Sequence, residues 1–218
     1  TDLHANADLA DGVLSVKRGS AEVGGGAVSI AGSLPLAGVG ADSDFNWSIA
    51  PQVTLEREVE GVGAVLVSAS GSGEGGVDAG RLRLRGELAL PAVSAPELSG
   101  IPLHLNDAIL GFDVALDRSG TAVSIDTLRL RAPLLELQLG SAALVFGENE
   151  QTFTGAVEAT LQPAFVHRLR SDVRSTGPIR VAGSVSMGLA QPWASGIWSG
   201  SATAAGIRYQ GVDIEDLS

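Results

Sequence analysis

The residues best suited to chemistry in this chain are three histidines, a row of glutamates and a glycine-rich hexapeptide. A metal or catalytic imidazole needs a second donor at a spacing that brings both to one face, as in H-x-x-x-H or H-E-x-x-H. His4, His104 and His167 have no such neighbour. His4 and His104 fall at outward positions of alternating strands and His167 on a predicted helix, so surface imidazoles are expected. Glu56, Glu58 and Glu60 share one face of one strand at intervals of about 7 Å. Calcium draws its oxygens from a looped backbone, so this row reads as a solvated face. Gly71-Ser72-Gly73-Glu74-Gly75-Gly76 matches G-x-G-x-x-G and follows a possible strand, Val65 to Ser70. The dinucleotide-binding form must open a helix, whose amides and dipole meet the pyrophosphate. Here the next segment, Leu82 to Leu90, alternates as a strand, and 71–76 is expected to be a flexible Gly/Ser loop.

The rest of the inventory is equally spare. Glu148-Asn149-Glu150 reads as a turn. Asn46-Trp47-Ser48 is a formal glycosylation sequon, but in a strand interior, a poor acceptor. G-x-S-x-G, S-x-x-K and the P-loop do not occur. With no cysteine, disulfides, thiolate metal sites and cysteine nucleophiles are excluded. Nothing assembles a nucleophile, a base and an orienting group. The expectation is a non-enzymatic chain with no catalytic residues, no metal and no cofactor.

The elements carrying these residues are strands. Apolar residues alternate with polar ones between turn signals. Leu3, Ala5, Ala7 and Leu9 oppose His4, Asn6 and Asp8, and Asp11-Gly12 supplies a hairpin turn. Phe45, Trp47 and Ile49 alternate with Asn46 and Ser48. Arg81-Leu82-Arg83-Leu84-Arg85 is the clearest stretch. Phe112, Val114 and Leu116 precede a turn at Asp117-Arg118-Ser119-Gly120. The phase slips between Ile125 and Leu128, which predicts a bulge near Thr127. About a dozen strands are expected at this spacing. The exception is Pro163 to Arg174, where Leu161, Phe165, Val166 and Leu169 have helical spacing and Pro163 suits a first turn. One short helix is expected there, as a cap on the sheet.

Composition narrows the function classes. Hydrophobic residues make up 44% but aromatics only 4%, so the apolar face is built from Leu, Val, Ile and Ala. The 29 glycines follow no collagen period. A net charge of −11 lacks the basic face that nucleic acid or an anionic membrane would need. No run reaches the roughly 20 apolar residues of a membrane-spanning helix. The 218 residues are expected to form a single segment of a longer protein whose anchors and targeting signals lie elsewhere.

Four passages carry a family resemblance: Gly12–Leu34, Leu98–Leu130, Gly177–Val185 and Ala204–Leu217. Their order of alternating apolar residues and glycines resembles the AsmA-like superfamily, specifically the long periplasmic region of TamB-like (translocation and assembly module) proteins. The similarity covers most of the chain and fits least well over 38–76. It implies an all-β fold: a long curved antiparallel or mixed sheet folded into a U-shaped hydrophobic trough, a β-taco. It further implies an interior segment of an envelope-spanning, bridge-like lipid transport protein in the periplasm, anchored in the inner membrane by a part absent from this chain. The implied partners are phospholipid acyl chains and, through the full-length protein, an outer-membrane barrel of the BamA/TamA type. The family supplies no catalytic residues.

On this reading the groove is lined early in the chain by Leu14, Val16, Val28 and Ile30. Leu82, Leu84, Leu88 and Leu90 follow. Val123, Ile125, Leu128, Leu130, Leu135, Leu137 and Leu139 come next, and Val181, Val185, Ile207 and Tyr209 complete the lining. Small aliphatic side chains leave room in a trough that aromatics would fill. An acyl chain of about 16 carbons costs roughly 12 kcal/mol in water, at ~0.8 kcal/mol per methylene. A continuous apolar floor removes most of that. The alternative is a structural or adhesive β-solenoid of a secreted or cell-surface protein, whose apolar face would pack on itself and leave no groove. A membrane barrel would need aromatic girdles, and one Tyr with three Trp is too few.

Overall fold

From Arg81 to Leu88 the residues are exposed and half-buried in strict turn, as a two-faced strand requires. The computed structural model describes residues 3–10, 13–23, 26–35, 43–59, 63–78, 81–98, 101–117, 120–147, 151–188, 196–209 and 212–217. Among them it is all-β apart from one short helix, the expected fold class.

Two compact units divide the chain, Thr1–Gly120 and Thr121–Ser218. The first is an antiparallel meander of β1 (Leu3–Ala10), β2 (Val13–Val23), β3 (Gly26–Pro35), β4 (Ser43–Val59), β5 (Gly63–Asp78), β6 (Arg81–Leu98) and β7 (Ile101–Leu116). Each strand pairs with its predecessor. Short connections permit only this antiparallel arrangement. The second unit holds β8 (Ala122–Ala132), β9 (Leu135–Phe146), β10 (Gln151–Leu161), α1 (Pro163–Leu169), β11 (Val173–Ser175), β12 (Ile179–Gly188), β13 (Ile197–Tyr209) and β14 (Val212–Leu217). Here β8, β9, β10, β12 and β13 pair in that order, and β11 and β14 both pair with β13. Every described pairing is antiparallel.

Three local expectations meet different outcomes. Residues 71–76 are not a loop: they are the second half of β5, paired on both sides. The reason lies in the aromatics that cross them, described below. The helix is shorter than 163–174. It ends at Leu169, and Val173–Ser175 is a strand instead, because pairing with β13 satisfies that backbone. Pro163 does stand in the first turn, and Phe165 and Val166 are buried. The slip near Thr127 is present: Asp126 and Thr127 are exposed in succession. The turn at 117–120 is closed by Gly120 N–H donating to the Asp117 carbonyl at 3.0 Å. The Asp11-Gly12 and Glu148–Glu150 turns lie outside the described residues.

The same device recurs along the chain. Lys17 and Arg18 are exposed in succession, as are Asn106 and Asp107. The register shifts between Val16 and Gly19, between Ser68 and Ser70, and between Thr154 and Ala156. Asp107 and Ser141 take left-handed φ values of 53° and 48°. One extra residue restores the face that a phase slip would otherwise invert. Leu105 and Ala108, on either side of such a slip, are therefore both buried.

Candidate functional site

Directly paired residues of neighbouring strands project to the same side, so the register shows which residues share a face. From β3 to β7 one rung is Ile30, Trp47, Gly73, Gly86 and Phe112. The rungs flanking it are Val28, Ile49, Gly71, Leu88, Leu110 and Gly32, Phe45, Gly75, Leu84, Val114. Between them lie the polar rungs of the other face, Ser29, Ser48, Ser72, Glu87, Gly111 and Ala31, Asn46, Glu74, Arg85, Asp113. In the second unit Leu130, Leu137, Ala159, Val181 and Ala202 form one apolar rung. Leu128, Leu139, Val157, Gly183 and Gly200 form the next. Each unit thus carries a broad apolar face backed by a polar one.

Glycines shape that face. The Trp47 indole lies flat across the Gly73–Gly86 pair: a Cβ at either would meet its Cζ2, at 2.7 and 2.5 Å. Beyond them it stacks on Phe112, ring centroids 5.7 Å apart. Phe45 covers Gly75 in the same way. Gly73 and Gly75 therefore stay in a strand because their missing side chains are replaced by rings from β4, while the space at Gly71 is taken by Leu88 of β6. This is the packing that rescues glycine in sheets. The second unit repeats it, with Trp198 Cζ2 2.8 and 2.7 Å from the Cβ positions of Gly183 and Gly200. The Trp47 Nε1 proton is buried without a partner among the described residues.

The face is only partly covered. Leu84, Leu88, Leu128, Leu130, Leu137 and Leu139 are all half-buried. Leu90, Leu105 and Ile125 are buried, but among the described residues no large side chain is buried completely. A closed core would bury most of them.

The opposite face is held by charges. Arg83 donates from Nε and Nη2 to the Asp113 carboxylate at 2.7 and 2.6 Å. This pairing holds the Asp113 carboxyl below its ordinary value. Arg85 donates to its cross-strand partner Glu74, Nε at 3.0 Å, which raises the guanidinium pKa further. Arg129 donates from Nε to Glu136, its diagonal neighbour on β9, at 2.9 Å. Arg170 grips Asp172 at 3.0 and 2.9 Å and lowers its carboxyl pKa. An open depression of about 460 Å³ lies on this side between Arg18, Ser48, Ser72 and Glu74.

Val16, Val28, Ile30, Leu82, Leu84, Leu88 and Leu90 fall on the apolar face of the first unit, and Val123, Ile125, Leu128, Leu130, Leu135, Leu137, Leu139, Val181 and Val185 on that of the second. Ile207 lies apart, half-buried past the left-handed Gly206 and paired with Ser175 and Ile214. Leu14 and Tyr209 are placed by backbone register alone, opposite Leu34 and Val173. The sequence reading omitted Trp47, Phe112, Ile49 and Leu110 from this face, although Phe45-x-Trp47-x-Ile49 carries the same alternation. His104 is exposed and hydrogen-bonds Ser94 Oγ at 2.9 Å, and His167 is exposed on α1. Glu56 and Glu58 are exposed, while Glu60 is outside the described residues. Among the described residues no group of three or more His, Asp or Glu comes together to hold a metal. Comparison with family models, with curated proteins and with solved structures finds no match.

Proposed function

We propose that this chain is an interior segment of a bridge-like lipid transport protein of the cell envelope, its apolar face sheltering phospholipid acyl chains between inner and outer membranes. One observation carries the reading: a wide aliphatic face in each unit on which Leu84, Leu88, Leu128, Leu130, Leu137 and Leu139 stay only partly buried, while Leu90 and Ile125 beside them are buried. An uncovered face of this size is costly in water, at about 25 cal/mol per Å². A lipid tail is a cover that needs no fixed geometry. The unpacked face favours the trough over a β-solenoid, in which the same residues would be packed on each other. The part of the protein outside this chain would supply the inner-membrane anchor and the contact to an outer-membrane barrel partner.

Two adjacent positions of β9 test it. Leu137 belongs to the apolar rung, whereas Gln138 pairs with Arg129 and Glu158 on the other face. A photo-crosslinking residue at 137 should capture phospholipid in cells and one at 138 should not. Equal capture at both, or none at 137 in a folded and abundant protein, would overturn the proposal.

A further inference from the structure

The second unit has one end unlike any other part of the described chain. Val145 and Phe146 close β9, and Ile197 and Trp198 open β13. They are 43%, 37%, 71% and 44% exposed, four of the six large apolar residues most open to water. Antiparallel pairing brings them to the same end of the sheet. Val145 pairs with Thr152, which pairs with Gly188, and Ile197 pairs with Ser186 two residues inward on that strand. Each of the two pairs has one residue per face. Trp198 shares the apolar rung of Gly155 and Val185, while Ile197 shares the polar rung of Thr154 and Ser186. A groove floor needs apolar residues on one face only, so groove lining does not account for Ile197 or Val145.

Charge sets this end apart as well. Residues 119–125, 137–147, 151–157 and 181–207 contain no Asp, Glu, Lys or Arg, in a chain of net charge −11. The far ends of the same strands carry Arg131, Glu136 and Arg180. We infer that this apolar ridge docks on the surface of a neutral lipid bilayer. A ridge apolar on both sides suits a fluid that can close around it. A folded partner of ordinary kind offers a flat patch of about 800 Å² instead. Two residues per strand reach about 7 Å, within the ~5–10 Å depth of interfacial burial. Trp198 supplies the residue type that anchors at the headgroup level. The β9–β10 connection contains Glu148 and Glu150, which disfavours anionic lipid. The inference does not depend on acyl chains in the groove.

The experiment is flotation of the 218-residue chain with phosphatidylcholine vesicles, read by Trp fluorescence quenching with brominated lipid. The wild type should float, and adding anionic lipid should not strengthen binding. Val145→Glu with Ile197→Glu should weaken partitioning about tenfold or more. Both positions are exposed on the outer face, so the fold is not at stake, and an unchanged circular dichroism spectrum verifies this. Arg131→Gln, an exposed position at the far end of β8 and outside the groove lining, should float like wild type. The inference is overturned if the wild type stays at the bottom of the gradient, if the double variant floats equally, or if binding needs anionic lipid. Loss of flotation in Arg131→Gln would mean that binding does not run through the ridge and would also overturn it. So would self-association through these residues without vesicle binding, which would make the ridge a contact between copies.

Discussion

The indole of Trp47 and the α-carbon of Gly86 occupy a single site on the apolar face, although β5 lies between their strands. A methyl group on Gly86 would stand 2.5 Å from Trp47 Cζ2 and 2.6 Å from the Ser72 carbonyl oxygen. The ring fills the space that a side chain would take, and the glycine lets it lie flat.

Gly86→Ala should therefore destabilise by about 1–3 kcal/mol, the usual cost of overpacking. Gly111 meets nothing within 4 Å, and Gly111→Ala should stay within about 0.5 kcal/mol of wild type. Urea unfolding midpoints at constant slope measure both. If the ring is the obstacle, Trp47→Ala should absorb part of the Gly86→Ala cost in a double-mutant cycle. Additive effects would place the obstacle in the backbone.

Asp107 holds a φ of 53° in β7, where Asn106 and Asp107 are exposed in succession. Aspartate tolerates this region better than most residues, glycine enters it freely, and β-branched residues are strained there. Asp107 is exposed, so its side chain contributes little packing. Asp107→Gly should leave the melting temperature nearly unchanged. Asp107→Val should cost about 1–3 kcal/mol. Equal melting temperatures would mean that the strand relaxes out of the left-handed conformation.

The Arg83–Asp113 pair sets a small acid-side dependence. The hydrogen bonds from Arg83 hold the Asp113 carboxyl below its unfolded value, which is about 3.9. A depressed carboxyl stabilises the fold above the unfolded value, and that contribution is lost as pH falls through the folded one. Arg83 is half-exposed, so Asp113→Asn should cost under about 1 kcal/mol near neutrality. The gap between wild type and variant should close below about pH 4. Denaturant titrations at a series of pH values measure it, and a gap that widens in acid contradicts the pairing.

The alternation of single strands was legible in the sequence because side-chain direction has period two. Leu82, Leu84 and Leu88 against Arg83, Arg85 and Glu87 reveal both faces of β6 without any knowledge of its neighbours. The same holds for Leu128 and Leu130 against Arg129. The helix at Pro163 was readable from its proline and its spacing. Its end was not, because Val173–Ser175 becomes a strand only by pairing with β13.

Glycine is where local reading runs out. Gly71 to Gly76 has the composition of a loop, since glycine alone gives a strand neither packing nor stiffness. Those losses are offset by Trp47 and Phe45, which stand more than twenty residues earlier in the chain and reach β5 only through the register of β4. The ridge of Val145, Phe146, Ile197 and Trp198 is likewise two unremarkable dipeptides until antiparallel pairing sets them at one end. Sequence alone determined which way each side chain points, a property of one strand. Tertiary structure decided which faces join, which glycines lie beneath a ring and which strand ends meet, because those depend on partners distant in the chain.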